Sequence, residues 1–237
     1  MNLILLSPED YVDNERVRLT DRRFEHIHSV HRAEVGDRLR IGLLDGLVGY
    51  GTVVKLSNVE VELEVVLNES PPAPLDLTLI LALPRPKCLR RILQSVSAMG
   101  VKSIYLIRTR RVEKSYWSSP HLSPESISWY LRLGLEQGRD TVVPKVEKRL
   151  LFRPFVEDEI PVLTKKKSCY VAHPTAQRSF PRVPLQKSAI VAIGPEGGFI
   201  PFELDLLERH GFIPVSFGPR PLRVEDAVVI SVCRLGM

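Results

Sequence analysis

The sequence predicts a two-part α/β protein: a small β-rich N-terminal domain, then a larger domain in which strands and helices alternate. Three observations carry this. The first third of the chain is built from short Val-, Ile- and Leu-rich runs of strand length. The cluster Pro71, Pro72 and Pro74 then interrupts any sheet or helix interior and makes a stiff spacer. Beyond it, apolar runs alternate with segments of helical spacing, which implies a largely parallel sheet covered on both faces. At 237 residues and 44% apolar content the chain is long enough for two cores.

In the first domain, residues 1–70, strands are expected at Asn2 to Leu6, Arg16 to Leu19, Asp37 to Leu44, Leu47 to Leu56 and Val59 to Leu67. Asp45-Gly46 is a hairpin turn signal between two of them. Val59 to Val65 alternates apolar and acidic residues, as a strand with one wet face must. Asp21 to Arg32 reads as a short helix with Phe24, Ile27 and Val30 facing the core, so this domain is expected to be a small β-barrel with one helix.

In the second domain, residues 71–237, Leu77 to Leu83 opens the alternation. A helix follows from about Lys87 to Met99, with Leu89, Ile92, Leu93, Val96 and Met99 on one face and Gly100 stopping it. Further strands are expected at Ser103 to Ile107, Ser168 to Ala172, Ala189 to Ile193 and Pro214 to Phe217. Further helices are expected after Ser123-Pro124-Glu125, near Phe202 to His210, and from about Val224.

Charge and composition narrow the function. The net charge of +5 is concentrated: Arg85 to Lys114 holds nine basic residues against one acid, Glu113. A weaker basic set, including Arg16, Arg18, Arg22, Arg23 and Arg32, lies in the first third. Charge runs are often only solvated faces, but this density and arginine share favour phosphate contacts, and two basic regions suit RNA. No apolar run approaches a membrane span, and Leu3 to Leu6 lacks the length and basic flank of a signal peptide, so a cytoplasmic protein is expected. Cys88, Cys169 and Cys233 form neither a disulfide framework nor a ligand pattern and read as core filler. His26, His28 and His31 have no thiolate or carboxylate to complete a metal site.

Ligands of parallel sheets sit beyond the carboxyl ends of the strands. Three loops there are His173-Pro174, Gly194-Pro195-Glu196-Gly197-Gly198 and Gly218-Pro219-Arg220-Pro221-Leu222-Arg223. None is a dinucleotide fingerprint or a P-loop. Their glycines let backbone groups approach a ligand closely, or else the Gly-Pro pairs are merely turns; the residues alone leave both readings open.

A resemblance adds to this. The segment GPEGGF from Gly194, followed by FGPRPLRVEDA from Phe217 and preceded by a strand ending at His173-Pro174, resembles the RsmE family of 16S ribosomal RNA uridine-N3 methyltransferases in the SPOUT superfamily. The likeness extends along the chain through His26, Ile27, Val30 and Arg32 and through Glu136-Gln137-Gly138-Arg139. It departs from the family pattern at Ser95 and Ala98, at the N-terminus, and at Val224 and Asp226. The resemblance implies a PUA-like N-terminal β-barrel and a C-terminal SPOUT α/β domain with a trefoil knot, a topology that base rates nearly exclude. It also implies a homodimer, no metal, and S-adenosyl-L-methionine as methyl donor. The donor would be held by Ala172, His173 and Pro174, by Gly194, Pro195, Glu196, Gly197 and Gly198, and by Phe217, Gly218, Leu222 and Arg223. Ribosomal RNA, within the small subunit, would meet Arg22, Arg32, Arg85, Lys87, Arg110 and Arg111.

Methylation at uridine N3 needs the nitrogen aligned behind the methyl group, a proton acceptor, and a cation for the charge spreading onto the flanking carbonyls. Arg223 is assigned the cation or an anchor for the target phosphate, and Glu225 the proton. Their structural alternatives are helix-dipole pairing for Glu225 and an ion pair with Glu225 or Asp226 for Arg223. Glu196 is expected to brace its loop by accepting backbone amides, with a role as base the alternative, and His173 to position the donor. Two other functions compete: a SPOUT methyltransferase acting on another RNA or atom, such as a ribose hydroxyl, and a non-catalytic RNA-binding protein.

Overall fold

The computed structural model describes residues 2–181 and 188–236. The chain divides into two compact units: Met1–Ala73 with Arg132–Val143, and Pro74–Leu131 with Pro144–Met237.

The first unit holds five strands: β1 (Ile4–Leu6), β2 (Arg16–Leu19), β3 (Arg38–Leu43), β4 (Val48–Leu56) and β5 (Val61–Glu69). They form one curled half-barrel sheet in the order β1-β3-β4-β5-β2. β1 runs parallel to β3 and the other pairs are antiparallel. Asp45, at φ 55°, lies in the β3–β4 hairpin where the Asp-Gly signal placed a turn. Alternate positions point inward, so Val17, Leu19, Ile41, Val53, Val61 and Leu63 are fully buried and form the core with Ile4 and Leu6.

Two expectations change here. The wet face of β5 is not uniformly wet: Glu62 is buried, and Arg18 on β2 donates to it at 2.9 Å, which compensates its burial. Val59 precedes the strand and is exposed. The helix is also shorter than its spacing suggests. Helix α1 spans Arg22–His26, capped by the Asp21 carboxylate accepting from Arg23 N at 2.8 Å, and then widens into a π-turn over Ile27–His31. Phe24 and Ile27 are buried, but the wider turn carries Val30 off the core side, where it is 66% exposed. Arg32 ends the turn in the left-handed region at φ 51°. Leu135, from the second segment of this unit, packs with Leu3, Leu5 and Val48.

The second unit is built on six parallel strands: β6 (Leu75–Ala82), β7 (Val101–Ile107), β8 (Lys145–Arg149), β9 (Ser168–Ala172), β10 (Ala189–Ile193) and β11 (Ile213–Val215). Their order is β11-β9-β10-β6-β7-β8. Every residue of β10 is buried, so both faces of the sheet centre are covered. Helices α2 (Pro86–Ala98) and α7 (Val224–Gly236) pack on each other; α7 also packs on β6 and β10, and α2 on β7. Of the apolar face expected for α2, Leu89, Ile92, Leu93 and Val96 are buried, whereas Met99 is the C-cap beyond the helix and is half-buried. The unit also holds the first part of helix α3 (Pro124–Gly138), whose residues from Arg132 belong to the first unit, and helices α4 (Phe152–Pro154), α5 (Ile160–Leu163) and α6 (Pro201–Arg209), with a π-turn joining α4 to α5. No helix among the described residues is long and apolar enough to cross a membrane.

Because all six strands are parallel, their carboxyl ends share one edge of the sheet. The loops after β6, β9, β10 and β11 therefore gather there, although they are scattered along the chain.

Candidate active site

At that edge the three Gly- and Pro-containing loops enclose a cavity of about 600 Å³, a size typical of small-ligand sites. Ala172, His173 and Pro174 contribute the first wall; Gly194, Pro195, Glu196 and Gly198 the second; Phe217, Gly218, Leu222 and Arg223 the third. The floor includes Arg85, Cys88 and Arg91 from the β6–α2 turn and α2, and Glu225 from the first turn of α7.

Each wall is fixed by hydrogen bonds between loops rather than by regular structure. His173 N donates to Val215 O at 2.9 Å, tying the first loop to β11. Ser216 Oγ stands 3.3 Å from both Pro174 O and Gly218 O, and Gly218 N donates back to it at 3.2 Å, so one hydroxyl joins the first and third loops. Phe217 stacks on Phe180 with ring centroids 4.5 Å apart. Gly218 sits at φ 125°, a conformation side-chain-bearing residues rarely adopt, and this lets the chain turn back toward Leu222. In the second loop, Gly198 N closes a turn onto Pro195 O at 2.7 Å.

Glutamates brace the second loop. Glu196 Oε1 accepts from Arg85 N at 3.0 Å, an amide just before α2, in line with the bracing role expected from its setting. Glu203, only 3% exposed, does more: Oε2 accepts from Ile200 N at 3.0 Å and Oε1 from Arg110 N at 2.7 Å. One buried carboxylate thus caps α6 and pins the arginine loop after β7. Glu203 carried a single signal in the sequence, its place three residues beyond the N-cap of a helix, Ile200, and it was not among the expected site residues.

The residues expected to touch RNA have varied settings. Arg110 and Lys87 are exposed, and Arg85 lines the cavity. Arg111 lies across the second loop, where its guanidinium donates to Gly197 O; Gly197 faces that side and does not line the cavity. In the first unit Arg32 is exposed, whereas Arg22 is ion-paired with the buried carboxylate of Glu136.

Glu225 is the most heavily hydrogen-bonded side chain of the cavity floor. Its Oε2 accepts from the Cys88 thiol at 2.8 Å and its Oε1 from Arg91 Nη2 at 2.8 Å. The thiol's hydrogen bond is the largest influence on the carboxyl, which sits below the usual carboxylate range; its backbone amide at the start of α7, Arg91 and Arg223 act in the same direction, against burial. Burial first, and then Glu225, push the Cys88 thiol up to about 12, so it is a donor and not a nucleophile. The core-filler reading of Cys88 was therefore incomplete: it is buried, and it also serves the site. Neither Cys88 nor Arg91 was singled out for the site from sequence. Among the described residues no group of His, Cys, Asp and Glu is arranged to hold a metal ion.

Residues 71–235 match the family model of the RNA methyltransferase domain, so the chain belongs to that class of enzyme. It is 30% identical over 232 residues to the ribosomal RNA small subunit methyltransferase E of Treponema pallidum, covering 96% of this chain and 87% of that protein. It is 23% identical over 237 residues to ribosomal RNA small subunit methyltransferase E 1 of Borreliella burgdorferi, covering 98% and 95%. The chain belongs to the ribosomal RNA small subunit methyltransferase E family, the one its signatures resemble. The fold is shared with a ribosomal RNA small subunit methyltransferase E from Neisseria gonorrhoeae bound to S-adenosyl methionine, with a TM-score of 0.76 at 20% identity over 98% of this chain and 95% of that one. It is shared likewise with a methyltransferase from Legionella pneumophila in complex with the same cofactor, with a TM-score of 0.72 at 22% identity over 98% and 95%.

Proposed function

We propose that this protein transfers the methyl group of S-adenosyl-L-methionine to N3 of a uridine in 16S ribosomal RNA. The observation that carries the reading is the cavity itself: three loops from one sheet edge enclose about 600 Å³ beside a paired carboxylate and several arginines. Backbone carbonyls and amides of the three loops hold the donor. The glycines of these loops, Gly194, Gly198 and Gly218, let backbone groups approach the adenine and ribose edges of the donor closely. Bound there, S-adenosyl-L-methionine supplies a methyl group on a sulfonium, a good electrophile whose departing sulfur takes the bonding electron pair.

This chain's residues do the rest. Glu225 receives the N3 proton and passes it to solvent, leaving the electron pair on the nitrogen for the new carbon bond. Arg223 at the rim stabilises the charge spreading onto the flanking carbonyls or holds the target phosphate. Arg85, Lys87, Arg110 and Arg111 meet the RNA backbone beside the cavity, and Arg22 and Arg32 belong to the RNA-facing side of the N-terminal domain. In this reading residues 1–70 form a PUA-like barrel that binds RNA, and residues 71–237 form a SPOUT domain with a C-terminal trefoil knot. The protein acts as a homodimer in the cytoplasm on RNA of the small subunit.

Nucleoside mass spectrometry of small-subunit RNA from cells with and without the gene tests this. Loss of 3-methyluridine in the deletion strain is the expected result. Its persistence, or the loss of a ribose-methylated nucleoside instead, overturns the assignment.

A further inference from the structure

The floor of the cavity carries a cluster that no local sequence pattern announces. Cys88 and Arg91 stand three residues apart on α2 and so share one helix face. Across from them is Glu225, 134 residues beyond Arg91 in the chain. Two side chains hold its carboxylate, the thiol at Oε2 and the guanidinium at Oε1, both at 2.8 Å, and its own backbone amide at the start of α7 bonds it as well. The two oxygens of a carboxylate offer about four acceptor positions, so these three donors leave one for another partner. All three residues line the cavity.

We propose that Cys88 and Arg91 are positioning residues that clamp the Glu225 carboxylate, fixing its rotation so that its remaining lone pair faces the nitrogen that gives up its proton. The proposal rests on the reading above, in which Glu225 takes the N3 proton. The two donors divide the task. Cys88 is 6% exposed and carries no charge; it satisfies the inner oxygen as a neutral donor, whereas a buried cation there would hold the carboxylate more tightly and blunt it further as a proton acceptor. Arg91 is 62% exposed, so solvent screens its charge while its planar fork still orients the outer oxygen.

The remaining charges at the site fit this division. Arg223, from the loop that precedes α7, and Arg91 favour the ionised carboxyl. Burial and Glu225 keep the Cys88 thiol protonated, and Glu196, from the loop after β10, adds to them in the same direction. Arg85 lines the same cavity, and Asp226 lies beside Glu225 on α7. Glu225 is therefore ionised and ready to accept across the neutral range. When the N3–H bond breaks, the proton moves to a carboxylate oxygen and the electron pair stays with the nitrogen.

The test is a single-turnover pH profile, with saturating S-adenosylmethionine and RNA substrate, for the wild type, Glu225→Gln, Cys88→Ala, Cys88→Ser and Arg91→Ala. Glu225→Gln is expected to lose at least about a hundredfold in rate. Cys88→Ala removes a donor to the ionised form, so the acid limb of the profile should move up by about one pH unit. Cys88→Ser keeps a donor and should bring the limb back. Arg91→Ala should move it in the same direction by less, because that pair is solvent-screened. A mere packing defect would lower the rate at every pH without moving the limb, and that result, or a serine variant that behaves like alanine, overturns the clamp. If Glu225→Gln turns over like the wild type, the underlying reading of Glu225 fails and takes the clamp with it. An inactive Glu225→Gln beside an unmoved Cys88→Ala profile sinks the clamp alone.

Discussion

Replacing Gly218 by alanine isolates what the third loop contributes to the cavity. Gly218 has φ 125°, and a Cβ built there meets nothing within 4 Å, so the substitution introduces backbone strain without a clash. A residue other than glycine in such a region costs about 1–3 kcal/mol. If the loop keeps its shape, that cost falls on folding and lowers the thermal midpoint by roughly 2–12 °C in a chain of this size. If the loop relaxes instead, the cost appears in ligand binding, as a loss of about 5- to 150-fold in affinity for S-adenosylmethionine. Thermal unfolding and calorimetric titration of the cofactor measure the two shares. Gly211 provides the control: it has φ 90°, an equally open surrounding, and a place just after α6 that does not line the cavity. Gly211→Ala should lose stability and keep its affinity. A Gly218→Ala protein that matches the wild type in both measurements, or a Gly211→Ala protein that loses affinity just as much, refutes the reasoning.

Two further outcomes follow from single groups. Glu203→Ala leaves two amides, Ile200 N and Arg110 N, without their acceptor, and should cost about 2–4 kcal/mol, seen as a fall of roughly 4–16 °C in the thermal midpoint; an unchanged midpoint contradicts the bracing role. Thiol labelling near pH 8 should modify Cys233, which is exposed, well before Cys88 and Cys169, which are buried and whose thiols are pushed up to about 12 and about 11. The two buried thiols should react at a normal rate only after unfolding, and rapid native labelling of Cys88 would count against its bond to Glu225.

How much of this was legible depended on how local the cause was. The strands expected at Leu77 to Leu83 and Ala189 to Ile193 announced themselves because a strand covered on both faces must be a nearly continuous apolar run. The strand Lys145–Arg149 did not, since KVEKR carries the alternating charges of a sheet edge: Lys145 and Arg149 both pair with Glu147, and Arg149 also with Glu159. The π-turn over Ile27–His31 was equally hidden, because the spacing of Phe24, Ile27 and Val30 suits an ordinary helix. At the site, the glycines and prolines of the three loops could be found from sequence, since turns need those residues wherever they lie. Whether they were ligand walls or plain turns could not be found that way.

The sequence by itself determined the types of the long, strongly patterned elements, the position of the three loops and, through its C-terminal signatures, the family. Only the tertiary structure decided which loops face one another and which side chains meet Glu225. That pairing depends on a strand order, β11-β9-β10-β6-β7-β8, in which β6 and β10 are neighbours although more than a hundred residues separate them. Local periodicity records burial and turning but carries no record of strand order. Cys88 and Arg91 therefore read as core filler and as part of a phosphate-contacting basic block until the parallel sheet brought the start of α2 and the start of α7 to the same edge.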